Sequence, residues 1–155
     1  MLIRLTDLPR TRDSFECRSG QIVAIRRAMT YEQGHVIAWI AKTFSPAWAD
    51  ESKTAFGTHP VGCFIAVSGK GQLVGFCCYD ATLRGFAGPI GVMKDWRGAG
   101  IGRALLISVL HAMKAIGYGY CVIGNVASPA FFEKAGGASL IKTGKTEIYP
   151  QKLVQ

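Results

Sequence analysis

The apolar positions upstream of residue 93 predict a series of short strands. Gln21 to Arg26 alternates weakly between apolar and polar residues, which indicates a strand. Two apolar runs, Pro60 to Val67 and Gln72 to Asp80, flank Ser68-Gly69-Lys70-Gly71, a sequence typical of a β-hairpin. A further apolar run, Phe86 to Met93, predicts a strand that leads into a glycine-rich turn.

Three segments carry helix-start signals or helical periodicity. Thr30 to Gln33 has the form of a capping box, in which the last side chain reaches back to the first residue. Ser45-Pro46 predicts a short helix that ends at Gly57. After the glycine turn, a long helix closes at Gly117 and places six apolar residues on one face: Ile101, Leu105, Val109, Ala112, Met113 and Ile116.

The remaining segments complete an α+β pattern. Cys121 to Gly124 predicts a short buried strand, and Ser128-Pro129 opens a last short helix. Ala138 to Leu153 predicts one or two more strands, whereas the charged segment before Gly20 gives no assignable element. Strands followed by strand–helix–strand indicate an α+β layer without repeats or linkers.

The composition is that of a globular chain. Its 155 residues, 49% of them hydrophobic, are enough to bury a core within one domain, residues 1–155. No apolar run reaches the roughly 18 residues that a membrane span needs, and no signal-peptide layout opens the chain. We therefore expect a cytoplasmic protein without a membrane partner.

The cysteines predict buried, reduced thiols rather than disulfides or a metal site. Their number is odd and most lie in apolar, strand-like runs: Cys17, Cys63, Cys77, Cys78 and Cys121. No CxxC pair is present and the three histidines are scattered, so the ligand spacing typical of zinc is missing. We expect no metal.

The net charge of +8 suggests nucleic acid as one candidate partner. The basic residues are nevertheless spread along the chain, without a dense run interleaved with aromatics and without a helix-turn-helix or RNA-binding signature. The local group Lys94, Arg97 and Arg103 lies beside the glycine turn. A phosphorylated small ligand accounts for that group, so we expect no nucleic acid partner.

The glycine turn between Arg97 and Arg103 is the strongest functional signal. A glycine-rich turn that opens a helix leaves backbone N–H groups unpaired, and the positive end of the helix dipole reinforces them as a phosphate site. The dinucleotide fingerprint is excluded because its third glycine would fall on Arg103. A nucleotide-triphosphate P-loop is excluded because no Gly-Lys-Ser/Thr opens the helix. Without further matches, a tight structural turn stays an alternative.

The turn resembles the acetyl-CoA loop of the GNAT (Gcn5-related) N-acetyltransferase superfamily, Arg/Gln-x-x-Gly-x-Gly/Ala. The resemblance implies a GNAT fold for about residues 20–150, with a mixed central sheet of about six to seven strands and about four helices. It implies acetyl-CoA as cosubstrate, held between two splayed parallel strands. Loop residues that would bind it are Arg97, Gly98, Ala99, Gly100, Ile101, Gly102 and Arg103.

The splayed strands of the resemblance are Phe86 to Met93 and Cys121 to Gly124. The pantetheine arm would take the place of a neighbouring strand and form hydrogen bonds with the backbone of Ile90, Val92 and Met93 in the first strand. An amide near Val92 would stabilise the oxyanion of the tetrahedral intermediate.

A second segment, Asn125 to Gly137, resembles the family's Asn-x-x-Ala-x-x-x-Tyr-Glu-Lys-x-Gly-Phe sequence. The resemblance implies that Asn125 and Phe132 contact the coenzyme. Phe132 stands where many relatives have a tyrosine that protonates the leaving thiolate, which a phenylalanine cannot do. Tyr120, Tyr149 or water are the alternatives for that proton.

Acetyl transfer to an amine also needs a group that accepts the ammonium proton. Asp80, at the end of a strand that should neighbour the coenzyme strand, is the first candidate, and Glu51 and Glu133 are fallbacks. Asp80 could equally be a turn residue without a catalytic role, and we give the two interpretations the same weight.

Local motifs also resemble a bacterial GNAT subgroup that includes glucosamine and glucosaminide N-acetyltransferases: Tyr79-Asp80-Ala81-Thr82, Arg84-Gly85-Phe86, Gly88 to Val92 and Gly117-Tyr118-Gly119-Tyr120. On that analogy Trp48, Asp80 and Arg84 line an acceptor pocket for an amino sugar. The alternatives are a protein, peptide or aminoglycoside acceptor, or a non-catalytic module that senses acetyl-CoA. A homodimer is one arrangement to expect, because dimers are common in the family.

Overall fold

The computed structural model describes residues 1–16 and 20–142. Within these ranges it contains seven strands, four α-helices and two short 3₁₀ helices, Thr30–Glu32 and Lys94–Trp96. The strands and α-helices are β1 Leu2–Arg4, β2 Ser14–Glu16, β3 Ile22–Arg27, α1 Gln33–Thr43, α2 Pro46–Phe56, β4 Cys63–Ser68, β5 Leu73–Tyr79, β6 Ala87–Val92, α3 Ile101–Ala115, β7 Tyr120–Val122 and α4 Pro129–Gly136.

The strands form two sheets. The larger has the order β2-β3-β4-β5-β6, and every neighbouring pair in it is antiparallel. The predicted hairpin at residues 68–71 joins β4 to β5 and is confirmed. β1 and β7 form a separate antiparallel pair, with Ile3 opposite Cys121. The α+β class, with seven strands and four α-helices as expected from the sequence, is therefore confirmed.

The two sheets meet at a fork. Phe86 and Val122 form a single parallel bridge, and the Val122 N–H donates to the Gly85 carbonyl at 2.8 Å. Beyond this bridge β6 and β7 separate, so β6 is an edge strand of the larger sheet. The expected splay between these two strands is confirmed.

Helices cover both faces of the larger sheet. α3 buries Leu105, Leu106, Val109 and Met113 against one face, while Ile40 of α1 belongs to the core on the other. All seven residues of β5 are buried because the strand is covered on both sides. The predicted α3 face is buried except for Ile116, which is 50% exposed because the helix already ends at Ala115.

The helix starts agree in part with the sequence. Ser45 caps α2 as predicted, because its hydroxyl accepts from the Trp48 N–H at 3.2 Å. The capping box predicted at Thr30 to Gln33 is displaced by one residue. The Glu32 carboxylate accepts from the Met29 N–H at 2.8 Å, since a 3₁₀ turn precedes α1. The same carboxylate bonds the Arg26 guanidinium, which lowers the pKa of Glu32.

The chain ends depart from the sequence analysis. β1 and β2 were not predicted, because three-residue strands are too short to show alternation and depend on distant partners. Of the strands expected between Ala138 and Leu153, Ser139 forms one bridge to Leu2, and residues 143–155 lie outside the described ranges.

The described cysteines are buried, as expected. Burial raises the pKa of Cys121 to about 12 and that of Cys77 well above its ordinary value. Cys17 lies outside the described residues. Within the described ranges, no helix combines the length and apolar character needed to cross a membrane.

Gly91 is a sensitive packing position. A Cβ there would lie 2.7 Å from the Phe44 ring and 3.0 Å from Phe76, and neighbouring aromatic rings hold both. We expect Gly91→Ala to lower the free energy of unfolding by about 1–3 kcal/mol in urea denaturation. Gly34→Ala in α1 is the control. Its Cβ meets no atom within 4 Å, so helix propensity should raise stability by about 0.5–1 kcal/mol. Equal effects of the two substitutions would contradict this packing.

Candidate active site

A cavity of about 1040 Å³ opens where β6 and β7 separate. Its walls come from the free edge of β6, the segment that follows β7, the loop before α3, and helices α2 and α4. The volume lies at the upper end of about 300–1,000 Å³ typical of small-molecule sites. The fork thus creates a cleft with backbone on one side and helices on two others.

The backbone of β6 offers hydrogen-bonding groups to this cavity. The Met93 N–H is used within the sheet, donating to the Val74 carbonyl at 2.9 Å. The Val92 carbonyl points the opposite way and accepts from Arg97 Nε at 3.1 Å. Because backbone polar groups alternate along an antiparallel strand, Ile90 and Val92 present theirs to the free edge. Met93, predicted as a third such residue, is neither on the cavity wall nor free at its N–H.

The glycine loop supplies a second set of donors. Gly98 and Gly100 have φ of 78° and 87°, which favours glycine, and a Cβ at either would meet no atom within 4 Å. The Ala104 N–H makes the first helical hydrogen bond, to the Gly100 carbonyl at 3.0 Å, so the preceding N–H groups lack a helical acceptor. Four further predicted loop residues share this wall: Arg97, Ile101, Gly102 and Arg103. Ala99 does not; it packs partly buried against the core.

Three cations surround the loop side of the cavity: Arg97, Arg103 and Lys134. The ion pairs among residues 1–16 and 20–142 are Arg26–Glu32 and Lys53–Asp50. No carboxylate in that part of the chain therefore neutralises the three cations. Together with the helix N-terminus they give this wall the character of an anion site.

The wall opposite β6 includes Asn125 and Phe132, the two residues of this segment predicted to bind the coenzyme. Asn125 has φ of 45°, and Phe132 is 7% exposed with its ring 4.9 Å from Phe131, edge to face. Tyr120, one alternative for the missing tyrosine, is 57% exposed and off the wall, and Tyr149 lies outside the described residues. No tyrosine, histidine or cysteine is found among the described residues that line the cavity.

The third wall comes from α2 and the turn after β5. Trp48 is 36% exposed, and Glu51 accepts a hydrogen bond from the Thr82 hydroxyl. Phe44 and Phe86 complete this wall. It therefore joins one carboxylate to several aromatic rings.

Asp80 and Arg84, predicted to line the acceptor pocket, are not on the wall. Asp80 has φ of 54°; one carboxylate oxygen accepts from the Gly85 N–H at 2.7 Å and the other from the Tyr118 hydroxyl at 3.0 Å. Partial burial and then this bond raise the pKa of Tyr118. Asp80 therefore closes the turn that leads into the fork, as a short acidic side chain does in a left-handed turn position. Arg84 is exposed beside it.

The other fallback base, Glu133, is exposed and off the wall. Within the described residues, no three histidine, cysteine, aspartate or glutamate side chains are grouped to hold a metal ion.

Sequence reasoning missed several lining residues. Trp96, Phe86 and Lys134 adjoin or lie within segments that were singled out, so a wider window around those motifs would have found them. Thr82 likewise lies within a singled-out motif, Tyr79 to Thr82. Phe44 carries no such signal, because only the packing of its ring against Gly91 of β6 brings it to the cavity.

The comparisons with known proteins agree with this geometry. The model of the acetyltransferase (GNAT) family matches residues 29–137. A comparison with curated proteins finds no significant match. Among solved structures, a GCN5-related N-acetyltransferase from Sphaerobacter thermophilus is 20% identical with a TM-score of 0.64, over 87% of this chain and 45% of that chain.

Two further solved structures share the fold. A GNAT family N-acetyltransferase from Escherichia coli in complex with CoA is 21% identical with a TM-score of 0.56, over 74% of this chain and 67% of that one. A glucosamine N-acetyltransferase region of a fungal multi-domain β-N-acetylglucosaminidase is 14% identical with a TM-score of 0.65, over 87% of this chain and 19% of that one. The chain thus spans less than half of the Sphaerobacter and fungal chains.

Replacing Asp80 should weaken the fold at the fork. Asp80→Ala removes both acceptors and should lower the free energy of unfolding by about 1–3 kcal/mol in urea denaturation. Tyr118→Phe removes one of the two bonds and should cost less. Arg84→Ala in the same turn is the control and should leave stability within about 0.5 kcal/mol, because its side chain is exposed. If Asp80→Ala were as stable as the wild type, the two hydrogen bonds of Asp80 would not hold the turn at the fork.

Proposed function

Because the chain belongs to the acetyltransferase (GNAT) family, we propose that it transfers the acetyl group of acetyl-CoA to the primary amine of a small molecule. The observation that carries this proposal is the fork. An unpaired strand edge and a glycine loop with free N–H groups open on the same cavity.

The loop fits the diphosphate of the coenzyme. Its N–H groups precede the first helical hydrogen bond, the space beside Gly98 and Gly100 is open, and Arg97, Arg103 and Lys134 supply compensating charge. The E. coli neighbour in complex with CoA supports the same ligand class.

The free edge of β6 fits the pantetheine arm. Amide groups of the arm would pair with the backbone of Ile90 and Val92 as an added strand does, while Asn125 faces it from the opposite wall. An amide at Val92 is the candidate donor to the oxyanion. A C–N bond then forms to the amine as the C–S bond breaks, giving an amide and the free thiol of CoA.

Glu51 takes the place of Asp80 as our candidate general base. It faces the cavity, and the Thr82 hydroxyl orients its carboxylate, whereas both oxygens of Asp80 are bonded within the turn. Glu51 would accept the proton that the ammonium group loses before attack. Because Phe132 has no hydroxyl, we assign the protonation of the leaving thiolate to water.

The finer choice of an amino sugar as acceptor has mixed support. The fungal neighbour is a glucosamine N-acetyltransferase region, and Trp48 offers an aromatic plane. Of the three residues proposed for the sugar, however, Asp80 and Arg84 lie off the wall.

A second candidate function is a non-catalytic acetyl-CoA sensor, which the missing tyrosine at Phe132 favours. Release of free thiol from acetyl-CoA with a panel of amines separates the two functions. Turnover supports the enzyme, and tight binding without turnover by any amine supports the sensor.

Charge reversal at the loop should weaken coenzyme binding. We expect Arg97→Glu to reduce CoA affinity, measured by calorimetry, by about 1–3 kcal/mol, because a charge-assisted bond to phosphate is lost. Lys70→Glu at the exposed β4–β5 hairpin makes the same charge change away from the cavity and should have little effect. Equal losses in both variants would show that only net charge matters and would contradict the loop assignment.

Removal of the Glu51 carboxylate should slow transfer without preventing coenzyme binding. Glu51→Gln keeps an acceptor for Thr82 but cannot take a proton, so kcat near pH 7 should fall by about 10²–10⁴-fold. Activity should recover as pH rises, because the free amine is then already neutral. Glu133→Gln, exposed and off the wall, is the matched control. An unchanged kcat in Glu51→Gln would remove the base assignment.

A further inference from the structure

We infer that the acceptor amine is carried on an aromatic or other flat apolar body, such as an arylalkylamine, which packs against Trp48 and Phe44. This inference rests on the proposed acetyl transfer and names the substrate class of the same cavity.

The placement of α2 defines the acceptor side. The Phe44 ring packs against Gly91 near one end of β6, and Glu51 bonds Thr82 beside the other end. The segment from Phe44 through α2 therefore runs along β6 in the opposite direction. It belongs to the cluster on the face of the larger sheet opposite the one that α3 and α4 cover.

The two sides of the cavity differ in polarity. Most polar side chains lie on the side of the loop and α4: Arg97, Arg103, Asn125, Ser128 and Lys134. On the α2 side the polar side chains among the described lining residues are Glu51 and Thr82, and the Thr82 hydroxyl already donates to Glu51. The rest of that side is aromatic or apolar, with Phe44, Trp48 and Phe86.

The aromatic surface is held in place by other rings. The Phe44 centroid lies 5.6 Å from Trp48 and 5.4 Å from Phe76, and Trp39 meets Phe44 edge to face at 5.5 Å. The Trp48 and Phe76 rings also meet edge to face, with their centroids 6.2 Å apart. Because the rings of Phe44 and Trp48 are already held in place, they lose little conformational entropy when a flat ligand packs against them.

Charge selects the orientation of the ligand. Glu51 is the carboxylate on the described cavity wall, and three cations stand on the opposite side. An ammonium group is therefore attracted to Glu51, while the three cations are compensated by the phosphates of the bound coenzyme. The apolar body of the ligand is then left beside Trp48.

A polyhydroxylated acceptor fits this wall less well. Its hydroxyls would be desolvated against rings, with the Glu51 carboxylate already engaged by Thr82 and by the amine. Buried hydroxyls without partners are costly, so the wall discriminates against sugars and in favour of aromatic amines.

The test compares 2-phenylethylamine, hexylamine and glucosamine as acceptors, with thiol release as the readout and CoA binding measured separately by calorimetry. We expect kcat/KM for 2-phenylethylamine to exceed that for glucosamine by about 10-fold or more, with hexylamine between them.

Variants of Trp48 locate the effect. Trp48→Ala should raise KM for 2-phenylethylamine by about 10-fold, whereas Trp48→Phe should largely preserve it, and KM for acetyl-CoA should stay unchanged in both. A general loss of structure would raise both KM values, so the comparison isolates the ring contact.

The outcomes separate the two proposals. Absence of CoA binding would overturn the proposed function and the inference with it. CoA binding without turnover of any of the three amines would also overturn both. Turnover of glucosamine in preference to 2-phenylethylamine, turnover of other amines but not of 2-phenylethylamine, or an unchanged KM for 2-phenylethylamine in Trp48→Ala would overturn the inference alone.

Discussion

The unpaired edge of β6 is the constraint on which the rest of the site depends. A strand edge with free N–H and C=O groups ordinarily invites another strand, and buried backbone groups left without partners are costly. Here the neighbour departs after one bridge at Phe86 and Val122, and the glycine loop and α4 enclose the space that remains. The cleft is therefore a gap in a sheet, already shaped for an extended ligand rich in amides.

Keeping that gap open requires a firm closed end. The Asp80 carboxylate accepts hydrogen bonds from the Gly85 N–H and the Tyr118 hydroxyl, which joins the turn after β5 to the loop before β7. The Val122 N–H donates to the carbonyl of Gly85 in the same turn. On the face of the larger sheet opposite α1, the apolar residues of α3 pack against β5 and β6. The separation of the two strands thus begins at a fixed point.

The sequence was most informative where local geometry decides the structure. Positive φ at Gly98 and Gly100 requires glycine, and the α3 periodicity follows from burial of one helix face, so both could be predicted. Sequence could not place Asp80, because the same acidic residue at a strand end suits a turn and a catalytic role equally well. The aromatic wall depends on the Phe44 ring packing against Gly91, a contact between residues distant in the chain that no local pattern records.

The pairing of β1 with β7 has a consequence for how the cleft is assembled. Ile3 lies opposite Cys121, so the strand that leads into the far wall pairs with a strand from the beginning of the described chain. Loop-closure entropy makes such long-range contacts late events in folding. During synthesis the larger sheet can form while β7 is still in the ribosome, and the binding cleft acquires its second side only after residues 123–135 have emerged.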